Sequence, residues 1–278
     1  MFKNQPKGLY VLALANTGER FGYYTMLAIL LLFLQAKFGF STAVAGTIYS
    51  TFLALVYFMP MIGGWIADKW NFQKTVTLGI VVMFLGYLIM AIPTPRLATS
   101  SLVIMLGALL LISIGTGLFK GNLQAIVGQL YDNPRYSAQR DSGFQIFYVF
   151  INIGGVIAPF IAPLLREFWL KHHGLAYNAD LPRLCHKFLD NAGSLSVQDS
   201  TNLATLAHNV GFQDAVDGGF CTTYLEIFNT GVHFSFIASV VAMLISLAVF
   251  AWVMKRLPNP VKKAKNDSNV SAADAAHD

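Results

Sequence analysis

Charge is scarce in this sequence. Of 278 residues, 12% are Asp, Glu, Lys or Arg and 55% are hydrophobic, giving a mean hydropathy of +0.54. That balance excludes an ordinary soluble domain and makes lipid the expected solvent. Cysteine is nearly absent, with Cys185 and Cys221 the only two, which excludes a disulfide-framed scaffold. Buried helices of a soluble protein would show amphipathic stripes, yet Thr75 to Ile92 carries no charge on any face. No grouping of nucleophile, base and oxyanion donors is recognisable, so an enzyme is not expected. His172 and His173, with Cys185 and His186, have no usual ligand spacing, so neither a metal nor any other cofactor is expected.

What the chain does have is length in its apolar runs. A hydrocarbon core of about 30 Å needs roughly 20 helical residues. Six such runs are present: Leu9 to Leu34, Val44 to Ala67, Thr75 to Ile92, Ser101 to Tyr131, Gly143 to Leu165 and Val232 to Val253. The first is too long for a cleavable leader and carries Glu19 and Arg20, so it is expected to remain as a span.

Lys and Arg gather in the segments that are inside if the N-terminus is inside, among them Lys3, Lys7, Lys69, Lys74, Arg135, Arg140, Lys255 and Arg256. The short outer loops then hold only Lys37 and Arg96. Basic residues of short loops stay cytoplasmic, so both chain ends are expected there. The same belt accounts for the net charge of +5, and nucleic-acid binding is not expected.

The resulting organisation is transmembrane helices one to five over residues 1–165, an extracytoplasmic insertion over 166–231, helix six over 232–256 and a cytoplasmic linker or tail over 257–278. Short helices are expected around Leu203 to His208. The tail, rich in Lys, Asp, Ser and Ala, reads as disordered. Both cysteines fall in the insertion, where an oxidising compartment leaves two readings open, a disulfide or two free thiols.

Ionisable residues in mid-span are costly, and each is a functional candidate. There are three: Glu19, Arg20 and Lys120. Arg20 lies eleven residues from Leu9, and Lys120 eleven from Tyr131. At 1.5 Å per residue both stand about 16 Å deep. Tyr57 and Asn152, counted from Ala67 and Gly143, reach almost the same level. Two cations and one anion leave a positive excess that an incoming carboxylate would satisfy; pairing that merely neutralises the bundle is the structural alternative. Pro60, Gly115, Gly117, Gly121, Gly154, Gly155, Pro159 and Pro163 loosen the backbone near this layer.

At these residues the chain resembles the proton-dependent oligopeptide transporters, a branch of the major facilitator superfamily. Three motifs carry the likeness: Glu19-Arg20-Phe21-Gly22-Tyr23-Tyr24; Gly63-Gly64-Trp65-Ile66-Ala67-Asp68 followed by Lys74-Thr75; and Phe144 to Gly155, preceded by Arg140-Asp141-Ser142-Gly143. The segment Gly117-Leu118-Phe119-Lys120-Gly121-Asn122 also resembles the family's fourth-helix lysine segment. Asn16 stands where the family commonly has a glutamate, Gly121 where it usually has proline, and Asn71 replaces a turn glycine, a position Asn tolerates because it visits left-handed backbone.

The resemblance implies an all-α membrane protein whose six transmembrane helices form one half of a major facilitator superfamily fold. It implies a di- or tripeptide substrate, with its carboxylate on Arg20 and Lys120 and its backbone hydrogen-bonded by Tyr24, Tyr57 and Asn152. Glu19 would join the proton-coupling network, protons being the only coupling ion. Asp68 would latch the cytoplasmic gate against Arg140. Family members have twelve helices, so a missing C-terminal six-helix half, or a second chain, is an expected partner, beside small peptides and the lipid bilayer. A truncated or split product is favoured over paired six-helix chains. The expected location is a bacterial inner membrane. The competing readings are a non-transporting membrane module and a carrier of another anionic solute.

Overall fold

A computed structural model describes residue 2 and residues 4–191, 195–254 and 257. Most of the expected tail, 258–278, lies outside the described residues. Eight α-helices follow one another: α1 Lys7–Phe38, α2 Thr42–Lys69, α3 Phe72–Ala91, α4 Thr99–Leu130, α5 Arg140–His172, α6 Leu181–Asn191, α7 Val197–Asn209 and α8 Gly218–Met254. All but α6 and α7 are long and apolar enough to cross a membrane.

Local chemistry sets the helix ends. Gly39 ends α1 in the left-handed region at φ 66°, where its N–H reaches the Gln35 carbonyl. The Ser41 hydroxyl accepts from the Val44 N–H and caps α2. Asn71 caps α3, its Oδ1 accepting from Gln73 N at 2.7 Å and Lys74 N at 3.2 Å. Its φ is 177°, ordinary extended backbone. The expected left-handed turn is therefore not used, and Asn71 serves through its side chain instead.

Two helix ends differ from the apolar runs. α5 continues to His172 and α8 begins at Gly218, so helix runs past both bounds of the expected 166–231 segment. The first turns of α8 include Thr222, Thr223 and Glu226, polar enough to fall outside an apolar window yet helical in context. With 37 residues α8 is about 55 Å long. That exceeds a hydrocarbon core, so part of it must stand clear of the membrane.

α1 packs between α5 and α8, α4 packs between α2 and α3, and α3 meets α8. The α4 contacts are backbone to backbone. A methyl group on Gly115 would stand 2.7 Å from the Gly79 carbonyl oxygen, and one on Gly63 would collide with Gly117. Glycine is required at these crossings because no side chain fits between the helices. Asn122 adds a polar tie, its Nδ2 donating to the Gly63 carbonyl at 3.0 Å. α5 and α8 join at one end, where Ser235 Oγ donates to the Ala162 carbonyl at 2.8 Å. Away from that junction they frame an apolar cavity of about 690 Å³ over α1, lined by Leu14, Phe21, Ile157 and Val241.

Candidate functional site

The polar layer begins on α1, where spacings of three and four place Asn16, Glu19, Arg20 and Tyr23 on its buried side. Glu19 is fully buried and Arg20 nearly so. The guanidinium engages both carboxylate oxygens, with Nη2 2.7 Å from Oε1 and Nε against Oε2. This planar two-point geometry is the strong form of an ion pair. The Arg20 guanidinium also lies 5.1 Å from the Tyr23 ring centre, and Tyr23 meets the Tyr24 ring edge-on at 5.3 Å.

Lys120 on α4 faces the same layer. Its ammonium lies 4.8 Å from the centre of the Tyr57 ring on α2. It is half-buried and, among the described residues, has no carboxylate within ion-pairing distance. Glu19 and Arg20 are both within Coulombic reach of it. The two cations thus share one electrostatic neighbourhood, with Glu19 committed to Arg20 and Lys120 left over.

Tyr57 is 70% exposed on α2, and Asn152 is exposed on α5. One turn beyond Asn152, a methyl on Gly155 would stand 3.1 Å from the Tyr24 ring, so Tyr24 rests against α5 beside Asn152. Thr17 ties α1 to the same stretch, donating to the Phe150 carbonyl at 2.9 Å. Glu19, Arg20, Tyr24, Lys120 and Tyr57 therefore converge, and Asn152 borders them. The remaining pair does not meet. Asp68 and Arg140 are both exposed and form no ion pair among the described residues; the Arg140 guanidinium lies against Gly128 of α4.

Outside this layer, the histidines are occupied with packing. His173 Nδ1 meets the Trp169 carbonyl at 2.9 Å, and the His186 Nε2–H donates to the Ala36 carbonyl at 2.7 Å. Among the described residues no group of three His, Cys, Asp or Glu could hold a metal ion. Cys185 and Cys221 are free thiols, both buried and within electrostatic reach of each other.

One buried polar cluster was missed by the sequence reading. Lys37 belongs to α1 rather than to a loop, and is 1% exposed. Its ammonium donates to Thr94 O at 2.9 Å, to Thr94 Oγ1 at 2.6 Å and to His233 Nε2 at 2.7 Å. His233 Nδ1 in turn donates to the Met90 carbonyl at 2.6 Å, which assigns the proton to Nδ1 and leaves Nε2 as acceptor. Nothing local signals this, since the partners are 57 and 196 residues away in sequence.

Comparison with known proteins fits this arrangement. The POT family model matches residues 73–185, which include Lys120, Arg140 and Asn152. A di-/tripeptide transporter of Lactococcus lactis subsp. lactis is 40% identical over 186 residues, 64% of this chain and 36% of the relative. Dipeptide and tripeptide permease A of Serratia proteamaculans is 32% identical over 200 residues, 68% of this chain and 38% of that one. The crystal structure of a peptide transporter POT in complex with sulfate superposes with a TM-score of 0.61 at 25% identity, covering 99% of this chain and 46% of that one. The chain belongs to the POT family. Its helices have the major facilitator fold, and it is a multi-pass membrane protein. The match covers the N-terminal half of the family, so this POT chain spans less than half the length of the relatives it matches.

Proposed function

We propose that this chain is the N-terminal half of a proton-coupled di- or tripeptide symporter that works by alternating access, binding the peptide carboxylate near mid-membrane. The observation that carries the proposal is the Lys120 ammonium, placed over the Tyr57 ring with no carboxylate of its own. A cation partly desolvated over an aromatic ring has lost water contacts that pairing with an incoming anion replaces. Arg20 is the second carboxylate ligand, but in this state its Nε–Nη2 edge is spent on Glu19. Protonation of Glu19 weakens that pair and releases the guanidinium to the substrate, so proton and peptide bind together. Tyr24, Tyr57 and Asn152 line the open side and hydrogen-bond the peptide backbone.

That open side needs a cover. The exposed faces of α2 and α5, including Tyr57, Met61, Val156 and Phe160, would be closed by the C-terminal six-helix half or by a second chain. The membrane is a bacterial inner membrane with both chain ends cytoplasmic and α6 and α7 outside. Asp68 and Arg140 belong to the cytoplasmic gate and approach each other only when it closes.

Uptake of labelled dipeptide into cells expressing the protein tests this. An ionic hydrogen bond contributes about 1.5–3 kcal/mol, so Lys120→Ala and Arg20→Ala should each lower uptake by roughly 10- to 100-fold. Undiminished uptake in both variants would refute the site.

A further inference from the structure

The two cysteines meet at one place outside the polar layer. Cys185 is on α6 and Cys221 is in the first turn of α8, and both are 0% exposed. They lie close enough to interact electrostatically, in the core where α6 packs on α8. Neighbouring residues anchor the same contact. His186 ties α6 to the end of α1 through the Ala36 carbonyl. One turn after Cys221, the Tyr224 hydroxyl accepts from Asn178 N at 3.2 Å, in the strand of chain that leads into α6. Phe212, just before α8, stacks on Phe220 at 4.2 Å. The thiols are therefore held in register by a set of independent contacts rather than by chance proximity.

We propose that Cys185 and Cys221 become a disulfide in the mature protein, stapling α6 to the start of α8. The inference rests on the reading that places α6 and α7 on the extracytoplasmic side, where thiols oxidise. In the step, both S–H bonds break and one Sγ–Sγ bond forms. Two electrons pass to a thiol-oxidising protein of that compartment, whose own disulfide takes them together with the two protons, relayed by water, and becomes two thiols. The thiolate is the reactive form. In the folded protein the Cys185 thiol is held protonated, first by the neighbouring Cys221 and then by burial. Oxidation therefore precedes docking of α6, while the segment is still emerging, and the finished bond is then shielded. Its effect is to fix the α6–α7 hairpin, which packs on the bundle chiefly through α6.

The experiment uses the full chain in its own membrane. Cells are quenched in acid, free thiols are blocked with N-ethylmaleimide, and the protein is mapped by non-reducing mass spectrometry. We expect the peptides carrying Cys185 and Cys221 to be recovered linked in most molecules. Recovery of both as blocked thiols would overturn the staple. A second arm separates sidedness from the bond. In the Cys185→Ala/Cys221→Ala protein an exposed Asn209→Cys probe is offered a membrane-impermeant maleimide on intact cells. Labelling at Asn209→Cys with unlinked native cysteines would reject the disulfide and keep the outward placement. No labelling with unlinked cysteines would reject both.

Discussion

Lys37 and Lys120 are both lysines of long apolar helices, and the structure treats them in opposite ways. All three ammonium protons of Lys37 have acceptors, supplied by Thr94 and His233, and the side chain is 1% exposed. Lys120 is half-buried over an aromatic ring, with its nearest carboxylate taken by Arg20. A membrane helix pays heavily for an ionisable group in either case. One cation is consumed in pinning α1, the α3–α4 turn and α8 together. The other is left with donors to spare, and a spare donor facing an open side is what a binding site requires.

That contrast can be broken by substitution, and the largest effect should come from the pair beside Lys120. Glu19→Ala strands a buried guanidinium, which costs about 3–5 kcal/mol; thermal unfolding in detergent should show a drop of that order, and an unchanged midpoint would mean the pair is not formed. Lys37→Met should come next. It leaves Thr94 Oγ1 and His233 Nε2 without their donor, at about 1–3 kcal/mol, and should leave dipeptide affinity unaltered. Lys120→Met should do the reverse, changing stability by less than about 1 kcal/mol because no satisfied bond is lost, while lowering peptide uptake by roughly 10- to 100-fold. If the two lysine variants behaved alike in both assays, the distinction between pin and ligand would fail.

The smallest effect concerns the outer end. Burial, outweighing the bond to Ala36 that acts in the opposite direction, holds His186 below the usual histidine pKa of about 6.5. The unfolded chain therefore takes up the proton first as pH falls. Stability from this group is complete above about pH 6.5 and declines as pH drops toward the lower folded value. His186→Gln keeps an N–H donor for the Ala36 carbonyl and should flatten that slope, read as melting temperature against pH.

Much of this was legible beforehand, for physical reasons that also explain the gaps. The six spans follow from apolar length, and the shared depth expected of Arg20 and Lys120 follows from a constant rise along long helices. Helix ends were less legible. α8 starts among Thr222, Thr223 and Glu226, where hydropathy is low and tertiary packing decides. α6 is short and amphipathic, with Pro182 in its first turn, and gave no apolar run to count. The expected Asp68–Arg140 latch did not form, since nothing in either local sequence fixes where a long exposed side chain settles. The Lys37–His233 pin joins residues from opposite ends of the bundle, beyond the reach of any local pattern.

The glycine crossings of α4 carry a mechanical consequence. Helices that touch through backbone atoms have no side-chain cushion to shear, and Asn122 clamps one of those seams to the Gly63 carbonyl. Sliding α2 along α4 would drive carbonyls into one another before any rotamer could yield. Lys120 and Tyr57, mounted on these two helices, therefore travel as a single piece. In the alternating access proposed above, rocking of the half-bundle would move the cation and its aromatic floor together, without changing the distance between them.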